Sequence, residues 1–128
     1  MRNLLERKFK MNQTTKNLEA ESMRKRASDL VEESVNSKAN RLSEINVDLT
    51  SIKAYFSEKL DNILVFKATK LEEWRIETKS VAGAKSKWNA TDEGRNEILI
   101  RGIIGRIKDQ ISVNKQRITV EMDERFGY

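Results

Sequence analysis

The sequence predicts an all-α fold: a long coiled-coil helix, a turn near residues 80–92, and a second helix folding back as a helical hairpin that assembles into an oligomer. Three observations predict it. Residues 1–82 contain neither proline nor glycine, where an average chain would hold roughly ten over that length. Long helices lack both, because proline removes a backbone donor and glycine costs about 1 kcal/mol against alanine. Apolar residues recur at alternating three- and four-residue steps from Val35 onward. The small, polar stretch "KSVAGAKSKWNATDEG" at 79–94 then interrupts that period, as a turn does.

The first element is a basic N-terminal segment, residues 1–26. It carries eight basic and three acidic residues, a charge of +5 that equals that of the whole chain. Residues 27–66 carry −3 and residues 67–128 carry +3. A segment of this kind suits an acidic partner: nucleic acid, anionic lipid or an acidic protein surface. Arg7, Lys8 and Lys10, followed by the run Arg24-Lys25-Arg26, are its candidate polyanion contacts. Leu4, Leu5, Phe9 and Met11 interleave with the first group, a pattern that also suits a membrane surface or a partner helix. A solvated tail is the plain alternative.

The remaining residues, 27–128, form the predicted helical domain. Its first helix starts near Ser28 or Asp29, or as early as Leu18. The seam runs through Val35, Lys38, Leu42, Ile45, Leu49, Ile52, Phe56, Lys59, Ile63, Phe66 and Lys70, mostly apolar. Leu60, Leu64, Leu71 and Trp74 continue it one residue out of step, as at a coiled-coil stutter. This heptad period predicts a helix to about residue 80. Gly83 is expected to end it in a left-handed cap, and Trp88 either covers the end of the hairpin or faces a partner.

Thr91 or Asp92 begins the second helix, with Asp92 and Glu93 favourable at its positive end. It runs to about Arg125. Ile100, Ile104, Ile107, Ile111 and Ile118 share one seam with Asn114 inside it; one buried asparagine in such a row often sets register or oligomer state. Ile118, Val120 and Met122 also alternate as a strand does, but Asn114-Lys115 lacks the glycine a tight hairpin favours. Helix is therefore expected over 98–122. Gly102 and Gly105 then lie on one helix face and cost about 2 kcal/mol together, which close packing of a neighbouring helix would offset. The stretch "IRGIIGRI" resembles the Gly-x-x-Gly loop of KH domains, which implies a clamp on a nucleic-acid backbone. It departs from that loop in Ile103 and Ile104, where polar or basic side chains are usual, and in the heptad helix that precedes it.

Chain lengths imply self-association. Residues 29–80 would span about 78 Å and residues 92–125 about 51 Å as helix. Folded back from the turn, the second helix would reach only to Asn46. Val35, Leu42 and Ile45 would then face water, with Leu49 at the margin. A second copy would bury the seam Val35, Leu42, Ile45, Leu49, Ile52 and Phe56.

The chain has no histidine and no cysteine. That removes the commonest general base, the usual transition-metal ligands and the Ser-His and Cys-His nucleophile pairs. The acidic pairs Glu32-Glu33, Glu72-Glu73 and Asp92-Glu93 are adjacent in sequence and point apart on a helix. No catalytic, cofactor or metal site is expected. The chain is expected to be a non-enzymatic, self-associating coiled-coil protein that scaffolds or adapts within a larger assembly, cytoplasmic or virion-associated, with phage or viral particles a fitting context. A nucleic-acid-binding protein is the alternative, using the N-terminus and the row Arg101, Lys108 and Lys115, which recurs every seven residues. A protein inhibitor acting by surface occlusion is a third. No run approaches the length of a membrane span.

Overall fold

In the computed structural model the chain is all-helical, with α1 at Arg2–Ser34, α2 at Ala39–Thr78, α3 at Val81–Asn89 and α4 at Asp92–Phe126. It describes the backbone of residues 2–126 and the side chains of residues 18–126. The side chains of Arg7, Lys8 and Lys10, and of the apolar residues interleaved with them, lie outside the described residues.

The long first helix is two helices. The expected run from 29 to 80 breaks at Val35–Lys38, and α1 turns back along α2. The break has a local signature. Val35, Asn36 and Ser37 donate their backbone N–H groups three residues back, to Glu32, Glu33 and Ser34, each at 3.3 Å. The helix thus tightens before it ends, a usual exit. Ser34 bends the same turn by donating its hydroxyl to the Leu30 carbonyl at 2.8 Å. Arg41 of α2 donates to both Glu33 of α1 and Glu44, tying the helices across the turn.

The hairpin between α2 and α4 is also built differently from expectation. α2 ends at Thr78 with Lys79 in the left-handed conformation, φ 56° and ψ 25°. Gly83 is not that cap; it lies inside α3, where its N–H donates to the Ser80 hydroxyl that caps the helix. α3 runs back along α2 before α4 begins. Trp88 of α3 is buried against Phe66, ring centroids 6.0 Å apart. The start of α4 is thereby set beside Lys67 rather than at the tip. Glu97 meets Lys67, Asn114 meets Asn46, and Glu121 reaches the backbone of Ala39, so α4 covers the whole turn-distal half of α2.

That register corrects the argument for an exposed seam. Leu42, Ile45, Leu49, Ile52 and Phe56 are buried within one chain. Ile45, Leu49, Ile52 and Phe56 join Ala27 and Leu30 of α1 and Ile100, Ile103 and Ile107 of α4 in a single core, with Ile104 and Ile111 packed at its edge. Val35 alone of that row is exposed, in the α1–α2 turn. Each aliphatic group taken from water here contributes roughly 1.5–3 kcal/mol.

Residues 98–122 are helix, not strand and not a Gly-x-x-Gly loop. Ile103, which such a loop would present outward, is in the core. Among the described residues no other helix of the chain packs on the glycine pair: beyond the nearby backbone of α4 itself, a Cβ built on Gly102 or Gly105 meets nothing within 4 Å. The glycine that packing does require is Gly94. A Cβ there would land on the Trp88 carbonyl oxygen and within 2.9 Å of its carbonyl carbon. Thr91 caps α4 by accepting from the Gly94 N–H at 3.0 Å, so the cap itself draws α4 against the end of α3.

Candidate interaction surfaces

Two buried polar clusters hold the helices, one near each end of the α2–α4 pair. At the α1–α2 turn, the Asn114 side-chain amide donates to the Ser34 hydroxyl at 3.2 Å and to the Asn46 carbonyl oxygen at 3.0 Å. Gln110 donates to the Asn114 oxygen at 2.9 Å, and Asn46 donates to the Ile111 carbonyl at 3.4 Å. Asn114 is fully buried, so these bonds replace the water it gives up. One turn further along α4, the Arg117 guanidinium donates to the backbone carbonyls of Ser34, Val35 and Ser37. Those acceptors would otherwise be orphaned where α1 ends. Glu121 accepts from the Ala39 N–H at 2.7 Å, capping the start of α2 where Lys38 offers no side-chain bond. Asn114, Arg117 and Glu121 share one α4 face at i, i+3 and i+7, a spacing that suits a clamp.

At the other end Glu97 is the centre. It accepts from the Trp88 indole N–H at 2.9 Å, from Lys67 Nζ at 2.8 Å and from Arg101 Nε at 2.9 Å. Burial works to raise its pKa, but the hydrogen bonds from Lys67, Arg101 and Trp88 outweigh it and hold the carboxyl down at about 2. Glu97 thus joins α2, α3 and α4 as a fully partnered carboxylate.

The sequence-predicted cations fall into separate places. Arg101 is engaged by Glu97, and Arg26 pairs with Asp48 at 3.5 Å. Arg24 borders a groove of about 410 Å³ between α1 and α4, floored by Ala27, Val31, Ile103 and Ile107 and shared with Arg106. Lys115 borders a different groove, beside Asn46, Val47 and Ile111. Lys25 and Lys108 are exposed. The row Arg101, Lys108 and Lys115 does not converge with Arg24-Lys25-Arg26 on one face. Among the described residues no cluster of acidic side chains suits a metal ion, and no helix is long and apolar enough to cross a membrane.

Sequence reasoning found Asn114 but not its partners, and missed Glu97 entirely. A signal for Glu97 was present, since it stands three residues before Ile100 on the isoleucine seam, where an acid needs a partner. Comparison with protein-family models, with curated proteins and with solved structures gives no match to this chain.

Proposed function

We propose that this chain is a non-enzymatic helical protein that self-associates and serves as a structural or adaptor component of a larger assembly. One observation carries the reading. Along the outer side of α4, Ile98, Leu99, Val113 and Val120 are 63%, 41%, 46% and 57% exposed. Large aliphatic residues repeated along one helix side and left to water form an interaction surface. The polar groups with most chemical potential, Glu97, Asn114 and Arg117, are instead spent on holding the helices together.

The nucleic-acid reading has less support, because its described cations are divided between faces and Arg101 and Arg26 are ion-paired. Light scattering on the full chain, alone and with duplex DNA or single-stranded RNA, separates the two. A concentration-dependent rise in mass without nucleic acid supports self-association. A monomer that gains mass only with nucleic acid, and loses it as salt is raised, overturns the reading in favour of polyanion binding.

A further inference from the structure

Gly102 and Gly105 have a cost and no return within the chain. Together they weaken α4 by about 2 kcal/mol relative to alanine, yet beyond the nearby backbone of α4 itself nothing lies within 4 Å of where a side chain would begin. Around Gly102 the sequence carries a second heptad, turned away from the core. Leu99, Arg106, Val113 and Val120 occupy one set of positions, and Gly102, Asp109 and Gln116 the other. At 3.6 residues per turn they share an arc of roughly 100°. Leu99, Gly102, Arg106, Asp109, Val113, Gln116 and Val120 are all exposed. Ile103 and Ile107 face α1 and the core, and Arg106 and Asp109 border the groove that separates α4 from α1, so the arc runs along the open edge of the α1 contact.

The order of residues at the centre of this arc, Gly102, Arg106, Asp109 and Val113, is self-complementary. When two such helices cross antiparallel about a two-fold axis, the two heptad sets face each other. With the axis between Ile107 and Lys108, Arg106 meets Asp109 of the other copy, twice, and Val113 meets Gly102, twice. Each Val113 enters the gap a glycine leaves and each of these charges meets its opposite, while Leu99 lies against Gln116 at the flanks. Neither Arg106 nor Asp109 has an ion-pair partner among the described residues. A parallel crossing in register would set Arg106 against Arg106 and Asp109 against Asp109, so charge selects the antiparallel form. Mixed charge of this kind also disfavours nucleic acid as the occupant, since Asp109 would sit against phosphate.

We infer that the outer face of α4 is a homodimer interface, in which α4 of a second copy packs antiparallel with Arg106 on Asp109 and Val113 in the gap at Gly102. This rests on the self-association reading and names its surface. The test is sedimentation equilibrium on the full chain and on three variants: Arg106→Asp, Asp109→Arg and the double exchange. All of these positions are solvent-exposed, and circular dichroism verifies that each variant folds. Either single reversal places like charges together at two symmetric points and is expected to weaken the dimer about tenfold. The double exchange restores opposite charges and is expected to recover most of the loss. A dimer indifferent to both single reversals, or one that the double exchange does not rescue, overturns this interface while leaving self-association standing. A wild-type chain that stays monomeric at several hundred micromolar removes both.

Discussion

Replacing Glu97 by glutamine keeps the shape of the side chain and removes its charge. The indole N–H of Trp88 can still donate to the remaining oxygen, but Lys67 and Arg101 lose the anion they enclose. The carboxyl titrates at about 2 in the folded chain, against an ordinary value of 4.5. At about 1.36 kcal/mol per unit this gap is worth about 3 kcal/mol of stability at neutral pH. The direction in pH follows from the sign of the shift. A carboxyl depressed by folding stabilises fully above its unfolded value, and that contribution fades as pH falls from about 4.5 towards about 2. Urea unfolding of wild type and Glu97→Gln, followed by circular dichroism at steps from pH 7 to pH 2, should show the variant less stable by about 2–3 kcal/mol at pH 7. That difference should shrink steadily below pH 5. Because every other carboxyl titrates in both proteins, the difference isolates this one. A gap between the two that stays constant down to pH 3 would mean that Glu97 is not held ionised by its partners, and the account of this cluster would be wrong.

Two further substitutions probe the backbone. Gly94→Ala is expected to destabilise by about 1–3 kcal/mol, since its Cβ meets main-chain atoms of Trp88 that cannot swing aside, whereas Gly102→Ala in dilute solution should stabilise by about 1 kcal/mol; thermal melts in dilute solution report both, and equal effects would contradict the packing described. Lys79→Gly should stabilise by about 1 kcal/mol, because Lys79 is the one described non-glycine residue with positive φ; a loss in its melting temperature would show that the lysine side chain contributes more than its backbone costs.

The helices themselves were legible because helix is written in period and composition, and both run for tens of residues. The break at Val35–Lys38 was not legible. It contains no glycine or proline, and what stabilises it comes from Arg117 and Glu121, some eighty residues away. Reading through it made Leu42 and Ile45 seem exposed and moved the oligomer seam onto what is the core of one chain. The position of α4 was lost for a related reason. The stretch from 79 to 94 has turn composition, yet Ser80 and the apolar pair Ala84 and Trp88 make it a short helix lying on α2. That helix shifts the start of α4 along its neighbour, and period alone carries no information about such a shift. Glycine is the clearest case. Gly94 and Gly102 look alike in sequence, and only the tertiary neighbours show that one cannot bear a side chain and the other can.

The placement of the two polar clusters explains why α2 and α4 adopt one register. Between the clusters the contact is apolar, built from Leu49, Ile52, Phe56, Ile100, Ile103 and Ile107, and hydrophobic attraction, being non-directional, specifies register less strictly than hydrogen bonds do. The clusters do not. A slip of one helical turn, about 5.4 Å, would take Asn114 from Ser34 and Asn46 and Glu97 from Lys67 and Trp88 together. Each would be left buried with its bonds broken, at a cost of about 1–3 kcal/mol for the amide and more for the carboxylate. Because the clusters lie near opposite ends of the contact, no single slip can satisfy one while sacrificing the other. The same slip would withdraw the Arg117 and Glu121 caps and loosen α1. A single register in turn holds the outward arc of α4 at one fixed angle to α1 and α2, as the antiparallel contact proposed for it requires.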